Sequence, residues 1–128
     1  MTTMIEGFVA GDDLDIQRDV TLVTPSDPLV QAWLTVKTSR AVADPGSLQK
    51  VLTITAVPGV GQITQDGSPT DGNGTASLLF QLTAADTTSL GTSVRYVYDI
   101  QVKTAGAKLY TTEQGRLQFS PGVTGATA

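Results

Sequence analysis

The sequence contains neither cysteine nor histidine. These absences exclude disulfide bonds, thiol nucleophiles, Cys/His zinc sites and catalytic triads that use imidazole as the base. Aromatic side chains are also scarce, with one tryptophan, three tyrosines and three phenylalanines, so the sugar-stacking rings that line a glycosidase cleft are largely missing. The composition therefore predicts a protein that is not an enzyme and that carries no cofactor and no metal ion.

Positive charge is limited, because eight basic residues stand against twelve acidic ones and leave a net charge of −4. A nucleic acid backbone attracts net positive surfaces, so we expect no nucleic acid partner. No apolar run approaches the roughly 18 residues of a membrane-spanning helix, and the N-terminus lacks the basic and apolar regions of a signal peptide. We therefore expect synthesis in the cytoplasm and no membrane partner.

Acidic residues are concentrated near the N-terminus. Six of the twelve lie in the first 27 positions, namely Glu6, Asp12, Asp13, Asp15, Asp19 and Asp27. This acidic ribbon is either a solvated edge or an electrostatic contact with a partner. The Asp-rich stretches 11–15 and 66–74 lack the spacing and the closing glutamate of a calcium-binding loop, so they predict ordinary turns.

Threonine and valine are abundant, at twenty and thirteen residues, and thirteen glycines and six prolines are spread through the chain. This composition favours β-strands separated by turns. A length of 128 residues is typical of one domain. Apolar and polar residues alternate most clearly over 29–38, 75–82 and 94–103, which predicts strands with one buried face.

Weaker alternation brings the predicted total to seven or eight strands. It covers 5–9, 14–23, 51–57, 108–112 and 116–120. Residues 57–74 predict a protruding loop or a loose hairpin, and Ala105-Gly106 predicts a tight one. The one helical signal is a short turn over 83–90, where Thr83 and Asp86 have the spacing of a capping box. The sequence thus indicates an all-β protein, a single antiparallel β-sandwich of immunoglobulin-like or jelly-roll-like type.

The alternation also predicts which side chains form the core and where the domain begins and ends. We expect an N-terminal arm over 1–11, the β-sandwich over 12–121 and a C-terminal tail over 122–128. The predicted inward set is Val30, Leu34, Val36, Leu78, Phe80, Leu82, Tyr96, Tyr98, Ile100, Leu117 and Phe119.

Trp33 is the one large apolar residue that the alternation places outside the core. It falls on the strand face opposite Leu34 and Val36. Three interpretations are open: another layer or a loop covers the ring, the ring belongs to a protein interface, or it forms a sugar-stacking platform together with Tyr110.

Six segments in the order of the chain carry a resemblance to a known group of proteins. They are 14–21, 34–37, 82–90, 96–102, 110–115 and 117–120. The most specific part is Leu82-Thr83-Ala84-Ala85-Asp86-Thr87 followed by Tyr96-Val97-Tyr98-Asp99-Ile100-Gln101-Val102. Together these segments resemble small β-sandwich domains of tailed-bacteriophage virions, and they are similar to the N-terminal domain of the upper baseplate protein.

The resemblance implies a non-enzymatic structural protein of a tailed-phage virion, made in the host cytoplasm. Baseplate relatives continue into a long fibre or receptor-binding region, for which this chain has no residues. We therefore expect a capsid decoration or cement protein on the head surface, which binds the lattice of the major capsid protein and stabilises the head. A tail, baseplate or head-to-tail accessory protein is the alternative, and a carbohydrate-binding module is a less favoured third.

The expected partners are the major capsid protein or other virion proteins, and further copies of this chain, with a trimer as one arrangement. We expect the interface to use the chain ends and an outward strand face, because the ends are too poor in apolar residues to order themselves. The expected interface residues are Met1, Met4, Ile5, Phe8, Trp33 and Val123.

Overall fold

The computed structural model describes residues 3–5, 8–44 and 46–121. Within these residues the chain forms eight strands and one short helix. In chain order they are β1 (Thr3–Ile5), β2 (Leu14–Thr21), β3 (Leu29–Lys37), β4 (Leu48–Leu52), β5 (Gly61–Ser68), β6 (Asp71–Leu82), α1 (Ala84–Leu90), β7 (Tyr96–Thr104) and β8 (Leu109–Leu117).

The strands form two sheets that pack face to face. One has five strands in the order β1-β8-β7-β3-β4, and the other has three in the order β2-β6-β5. Neighbouring strands are antiparallel except for β1 and β8, which run parallel. The prediction of an all-β sandwich with one short helical turn is confirmed.

The core lies between the two sheets and follows the period-two alternation of the longest strands. All of the predicted core residues except Val30 are buried. Further core members lie where the alternation is weak or absent, namely in β1, β2, β4 and β5, at the bulged start of β3 and in the helix. They include Ile5, Leu14, Ile16, Leu29, Leu52, Ile63 and Leu90.

The prediction for Val30 is wrong, since its side chain is 40% exposed while that of Leu29 is 1% exposed. The pairing of β3 with β7 shifts register between Leu29 and Gln31. Such a bulge adds one residue to a strand and reverses the alternation on one side of it. Leu29 therefore takes the buried position at the start of β3.

The helix begins with the predicted capping box. Thr83 Oγ1 accepts from the backbone N–H of Asp86 at 3.2 Å, and Asp86 Oδ2 accepts from the N–H of Thr83 at 2.8 Å. The Asp86 carboxylate also lies 2.7 Å from Lys50 Nζ on β4. The pKa of Asp86 is lowered, because these bonds outweigh the opposing effect of burial. The cap thus ties α1 to the five-stranded sheet.

Three strand boundaries differ from the predictions. Residues 57–74, which were expected to form either a protruding loop or a loose hairpin, form a hairpin: they contain β5 and the turn into β6. The strand expected over 51–57 is instead β4, at Leu48–Leu52. The two strands expected over 108–112 and 116–120 are one strand, β8. The Glu113-Gln114-Gly115 sequence that suggested a turn pairs in regular register with β7, and the one irregularity is a bulge at Thr112.

The N-terminal arm expected over 1–11 and the weak strand expected over 5–9 also need correction, because the strand in this region is β1, at Thr3–Ile5. β1 pairs with the far end of β8, with Ile5 opposite Leu117, and the Ile5 side chain is only 6% exposed. Val9 forms a further bridge with Ser120. The packed domain therefore includes Ile5, well before residue 12.

The bulge at the start of β3 leads to a direct prediction for stability. Leu29→Ala should lower the free energy of unfolding by about 2 to 5 kcal/mol, because it leaves a cavity between the sheets, whereas Val30→Ala should cost under about 1 kcal/mol. Leu34→Ala and Gln101→Ala provide a matched inward and outward pair further along the sheet. Denaturant titration measures all four, and a larger loss at Val30 than at Leu29 would contradict the bulge.

Candidate interaction surfaces

The two sheets are hydrogen-bonded to each other along one side of the sandwich. The N–H of Ile63 on β5 donates to the carbonyl of Thr53 just after β4, at 2.8 Å, and the N–H of Val57 donates to the carbonyl of Gly61 at 3.0 Å. Gly61 has φ of 122°, and a Cβ there would lie 1.8 Å from the carbonyl oxygen of Leu79. Only glycine fits this close approach of β5 to β6, which lies beside the buried Leu52 side chain of β4.

The opposite side, between β2 and β8, is open; we call it the β2–β8 seam. Over the described residues no backbone hydrogen bond joins these two strands. They are connected by side chains: Arg18 Nε lies 2.7 Å from Glu113 Oε1, and Arg18 Nη2 lies 3.3 Å from Glu113 Oε2. The hydroxyl of Tyr98, a buried core residue on β7, donates to the same carboxylate.

This Arg18–Glu113–Tyr98 triad places charged groups partly inside the sandwich. Leu14, Ile16 and Arg18 share the inward face of β2, so the same alternation that buries the leucine and isoleucine turns the arginine toward β8. Sequence reasoning did not identify the triad, because a charged residue in a strand is usually solvated. The alternation that continues from Leu14 through Val20 was the sequence signal that could have placed Arg18 on the inward face.

The triad shifts the pKa of each of its members. Burial opposes ionisation of Glu113, but hydrogen bonds from Arg18 and Tyr98 and the arginine charge outweigh it, so the pKa of Glu113 is lowered. The hydrogen bond to Glu113 raises the pKa of Arg18, and burial followed by the bond to Glu113 raises the pKa of Tyr98. The shifts favour a charged Arg18, a charged Glu113 and a protonated Tyr98, which are the states in which the three side chains bond to one another.

A cleft of about 190 Å³ opens along the seam toward the β7–β8 turn. Its wall is largely apolar and includes Val20, Leu22, Val102 and Tyr110, with several threonines. An apolar cavity of roughly 150 Å³ can hold a benzene molecule. The cleft is therefore large enough for one large apolar side chain.

β1 covers only one end of the outer edge of β8. It pairs with Gly115, Arg116 and Leu117, and no described residue pairs with the outer edge of Leu109–Gln114. Leu109 is 60% exposed and Tyr110 41%. At the cleft, Val23 is also highly exposed. Exposed apolar side chains thus gather where the sheet edge is free.

A second surface is the outer face of the five-stranded sheet, where Trp33 lies. Trp33 is opposite Gln101 on β7 and Val51 on β4, and its side chain is half-buried. A polar depression of about 170 Å³ on this sheet includes Lys37 and Asp99. Burial raises the pKa of Asp99, with the Lys37 charge opposing the rise.

The geometry separates the two residues considered for sugar stacking. Tyr110 is opposite Val102, a buried residue of the inward face, and lines the cleft. Trp33 shares the outer face with Gln101. The two rings lie on opposite faces of one sheet, so they do not form a single platform for a sugar.

The other predicted interface residues have different environments. Phe8 is 45% exposed and lies beside Ser120, whose N–H donates to the Phe8 carbonyl at 2.9 Å. Ile5 is buried in the domain's own core and offers no exposed apolar group. Met4 pairs through its backbone with Arg116, and its side chain lies outside the described parts. Met1 and Val123 lie outside the described residues, as does the tail over 122–128.

Part of the N-terminal acidic ribbon has a structural role. Asp13 Oδ1 accepts from the N–H of Ala84 at the start of α1, at 2.7 Å, and the carbonyl of Asp12 accepts from Thr87 Oγ1 at 2.8 Å. Within 3–5, 8–44 and 46–121, no group of three or more His, Cys, Asp or Glu residues is placed to hold a metal ion. No helix in the same residues is long and apolar enough to span a membrane.

The triad predicts a pH-dependent contribution to stability. Because the folded-state pKa of Glu113 is below its usual value of about 4.3, its ionisation stabilises the fold above that pH, and the contribution is lost as the pH falls through the folded-state pKa. Glu113→Gln should cost about 1 to 3 kcal/mol at pH 7. The difference from the unsubstituted protein should shrink toward pH 3.

Urea titrations from pH 3 to pH 8 measure this dependence. Asp15→Asn is the matched control, since it also removes one carboxylate charge, but from an exposed position on β2. A constant difference between the Glu113→Gln variant and the unsubstituted protein across this range would show that the charge of Glu113 does not stabilise the fold.

Comparison with known proteins does not place the chain in a family. No protein-family model, no curated protein and no solved structure matches it.

Proposed function

We propose that the protein is a non-enzymatic structural component of a tailed-phage virion, and that it is a capsid decoration or cement protein on the head surface, binding the lattice of the major capsid protein. The support is the likeness of 82–90 and 96–102 to small virion domains, together with a β-sandwich fold of the kind that the likeness implies. The resemblance remains the reason for choosing a virion over other assemblies.

The structural observation that carries the proposal is the distribution of exposed or half-buried aromatic side chains over separate surfaces. Phe8 lies beyond the Leu117 end of β8, Tyr110 lies near the opposite end of that strand, and Trp33 lies on the outer sheet face. A small domain with several contact surfaces can touch more than one neighbour at once. Repeated on a symmetric lattice, weak contacts of this kind add up through effective concentration.

A tail, baseplate or head-to-tail accessory protein is the alternative, and the likeness to a baseplate domain favours it. The same contact surfaces would serve in a tail or baseplate. The two proposals therefore differ in where the protein lies on the virion and in its number of copies, and not in the chemistry of the contact. A carbohydrate-binding role loses its main argument, because Trp33 and Tyr110 face opposite sides of the sheet.

The number of copies per particle tests the proposal. Quantitative mass spectrometry of purified virions, with the major capsid protein as internal reference, should give on the order of hundreds of copies of this chain if it decorates the head. On the order of tens or fewer would favour the tail or baseplate alternative. Absence of the chain from purified particles would contradict a virion role altogether.

Residue substitutions test which surface binds. Trp33→Ala should weaken binding to undecorated capsids by about tenfold or more, because a half-buried tryptophan at an interface often dominates its energy. Phe8→Ser should also weaken binding. It is a more specific change than deleting residues 1–8, because the deletion would also remove Ile5 from the core. Gln101→Ala, beside Trp33, is the control. Unchanged occupancy for both variants in a cosedimentation assay would exclude these surfaces.

A further inference from the structure

The β7–β8 hairpin fixes the direction in which the backbone groups of β8 point. The N–H of Thr104 donates to the carbonyl of Lys108 at 3.0 Å, and the N–H of Lys108 donates to the Thr104 hydroxyl at 3.2 Å. The backbone groups of these two residues therefore face each other and occupy a hydrogen-bonded position of the ladder. Hydrogen-bonded and non-hydrogen-bonded pairs alternate along an antiparallel ladder. Leu109 and Thr111 fall at the non-hydrogen-bonded positions. Their N–H and C=O groups therefore point away from β7, toward the free edge.

This edge has few of the features that prevent pairing with another chain. Free edges are commonly protected by charged side chains, by proline, by β-bulges or by a covering segment. Among the described residues no segment covers Leu109–Thr112, and the one bulge, at Thr112, lies at the end of this stretch. The exposed residues here are Leu109, Tyr110, Thr111 and Thr112, all of them uncharged and most of them good strand formers. The next residue, Glu113, has its charge bound to Arg18.

The edges of β2, β4 and β5 are less suited to pairing with a copy of themselves, and β1, the remaining edge strand, is only three residues long. An antiparallel pairing of two β2 strands about Gln17 would place Asp15 opposite Asp19 of the second copy, which brings like charges together. β4 is centred on Lys50, which would face its own copy. The edge of β5 is partly occupied, since Ile63 is bonded to Thr53.

We propose that two copies of this chain pair through the outer edges of their β8 strands over Leu109–Thr112, antiparallel and related by a two-fold axis. A two-fold contact requires a surface that is complementary to itself, and this edge brings no like charges together. Antiparallel pairing instead places Lys108 of one copy near the Glu113 end of the other. The exposed side chains of Leu109, Tyr110 and Val23 would be covered in the contact.

The contact is expected to be weak. At about 3.3 Å per residue the pairing is no more than about 20 Å long, and it buries less area than a standard stable interface. We expect a dissociation constant on the order of 0.1 mM. This inference concerns the isolated protein, and it holds whether or not the protein is part of a virion.

Sedimentation equilibrium of the full chain, from roughly 5 µM to 1 mM, tests the proposal across the expected dissociation constant. The weight-average mass should rise with concentration from 13.3 kDa toward twice that value. Leu109→Lys should keep the protein monomeric, because it places two lysines in the paired edge. Ile54→Lys is the matched control, since Ile54 is 61% exposed and Leu109 is 60% exposed; it should dimerise like the unsubstituted protein.

Thr111→Pro tests whether backbone hydrogen bonds hold the two copies together. Proline is tolerated on an edge strand where the N–H faces solvent, so the monomer should still fold, with an unchanged circular dichroism spectrum, while the dimer is lost. Three results would each overturn the proposal. The protein could stay monomeric at about 1 mM, the Leu109→Lys and Ile54→Lys variants could associate equally, or the protein could assemble into trimers.

Discussion

The open side of the sandwich is the constraint on which the rest of the structure depends. Backbone hydrogen bonds connect the sheets where β4 meets β5, whereas β2 and β8 are connected by the side chains of Arg18 and Glu113. Residues 3–5 fill one end of the seam by adding β1 to the edge of β8. The other end has an apolar cleft and a strand edge with which no described residue pairs, so the features best suited to a protein contact lie together.

The triad at the seam has a cost as well as a benefit. Bringing a guanidinium and a carboxylate out of water is expensive, and a partly buried ion pair often contributes little net stability compared with apolar residues of the same size. Breaking the pair is costly, however, because the remaining charge then lacks its partner. Tyr98 adds a further bond to Glu113, which fixes the carboxylate in one position. The triad therefore sets the spacing of β2 and β8 more than it adds to the total stability.

Much of the fold could be predicted from the sequence, because a sandwich with one buried face per strand carries a period-two signal. The core residues of β6 and β7 and the capping box at Thr83 follow from such local patterns. The bulge at Val30 and the continuity of β8 through Gly115 could not be predicted, because both depend on the register against β7. Ile5 was expected at an interface and not in the core, because a strand as short as β1 has no periodicity that would show which of its side chains are buried.

The candidate surfaces were harder to predict than the core. Trp33 was identified because a large ring on an outward face is unusual, and it does lie on the outer face. The seam was not identified, because its definition requires the order of strands in both sheets, which no local pattern contains. The Arg18–Glu113 pair likewise joins residues 95 positions apart.

Hydrogen–deuterium exchange of the individual amides of β8 tests the central claim, that the Leu109–Thr112 edge is free in one copy and covered in the dimer. In dilute protein the amides of Leu109 and Thr111 should exchange rapidly while that of Tyr110, bonded to β7, is protected. At concentrations where the protein dimerises, Leu109 and Thr111 should become protected as well. Protection of these two amides in the dilute monomer, or their continued rapid exchange in the dimer, would contradict the claim.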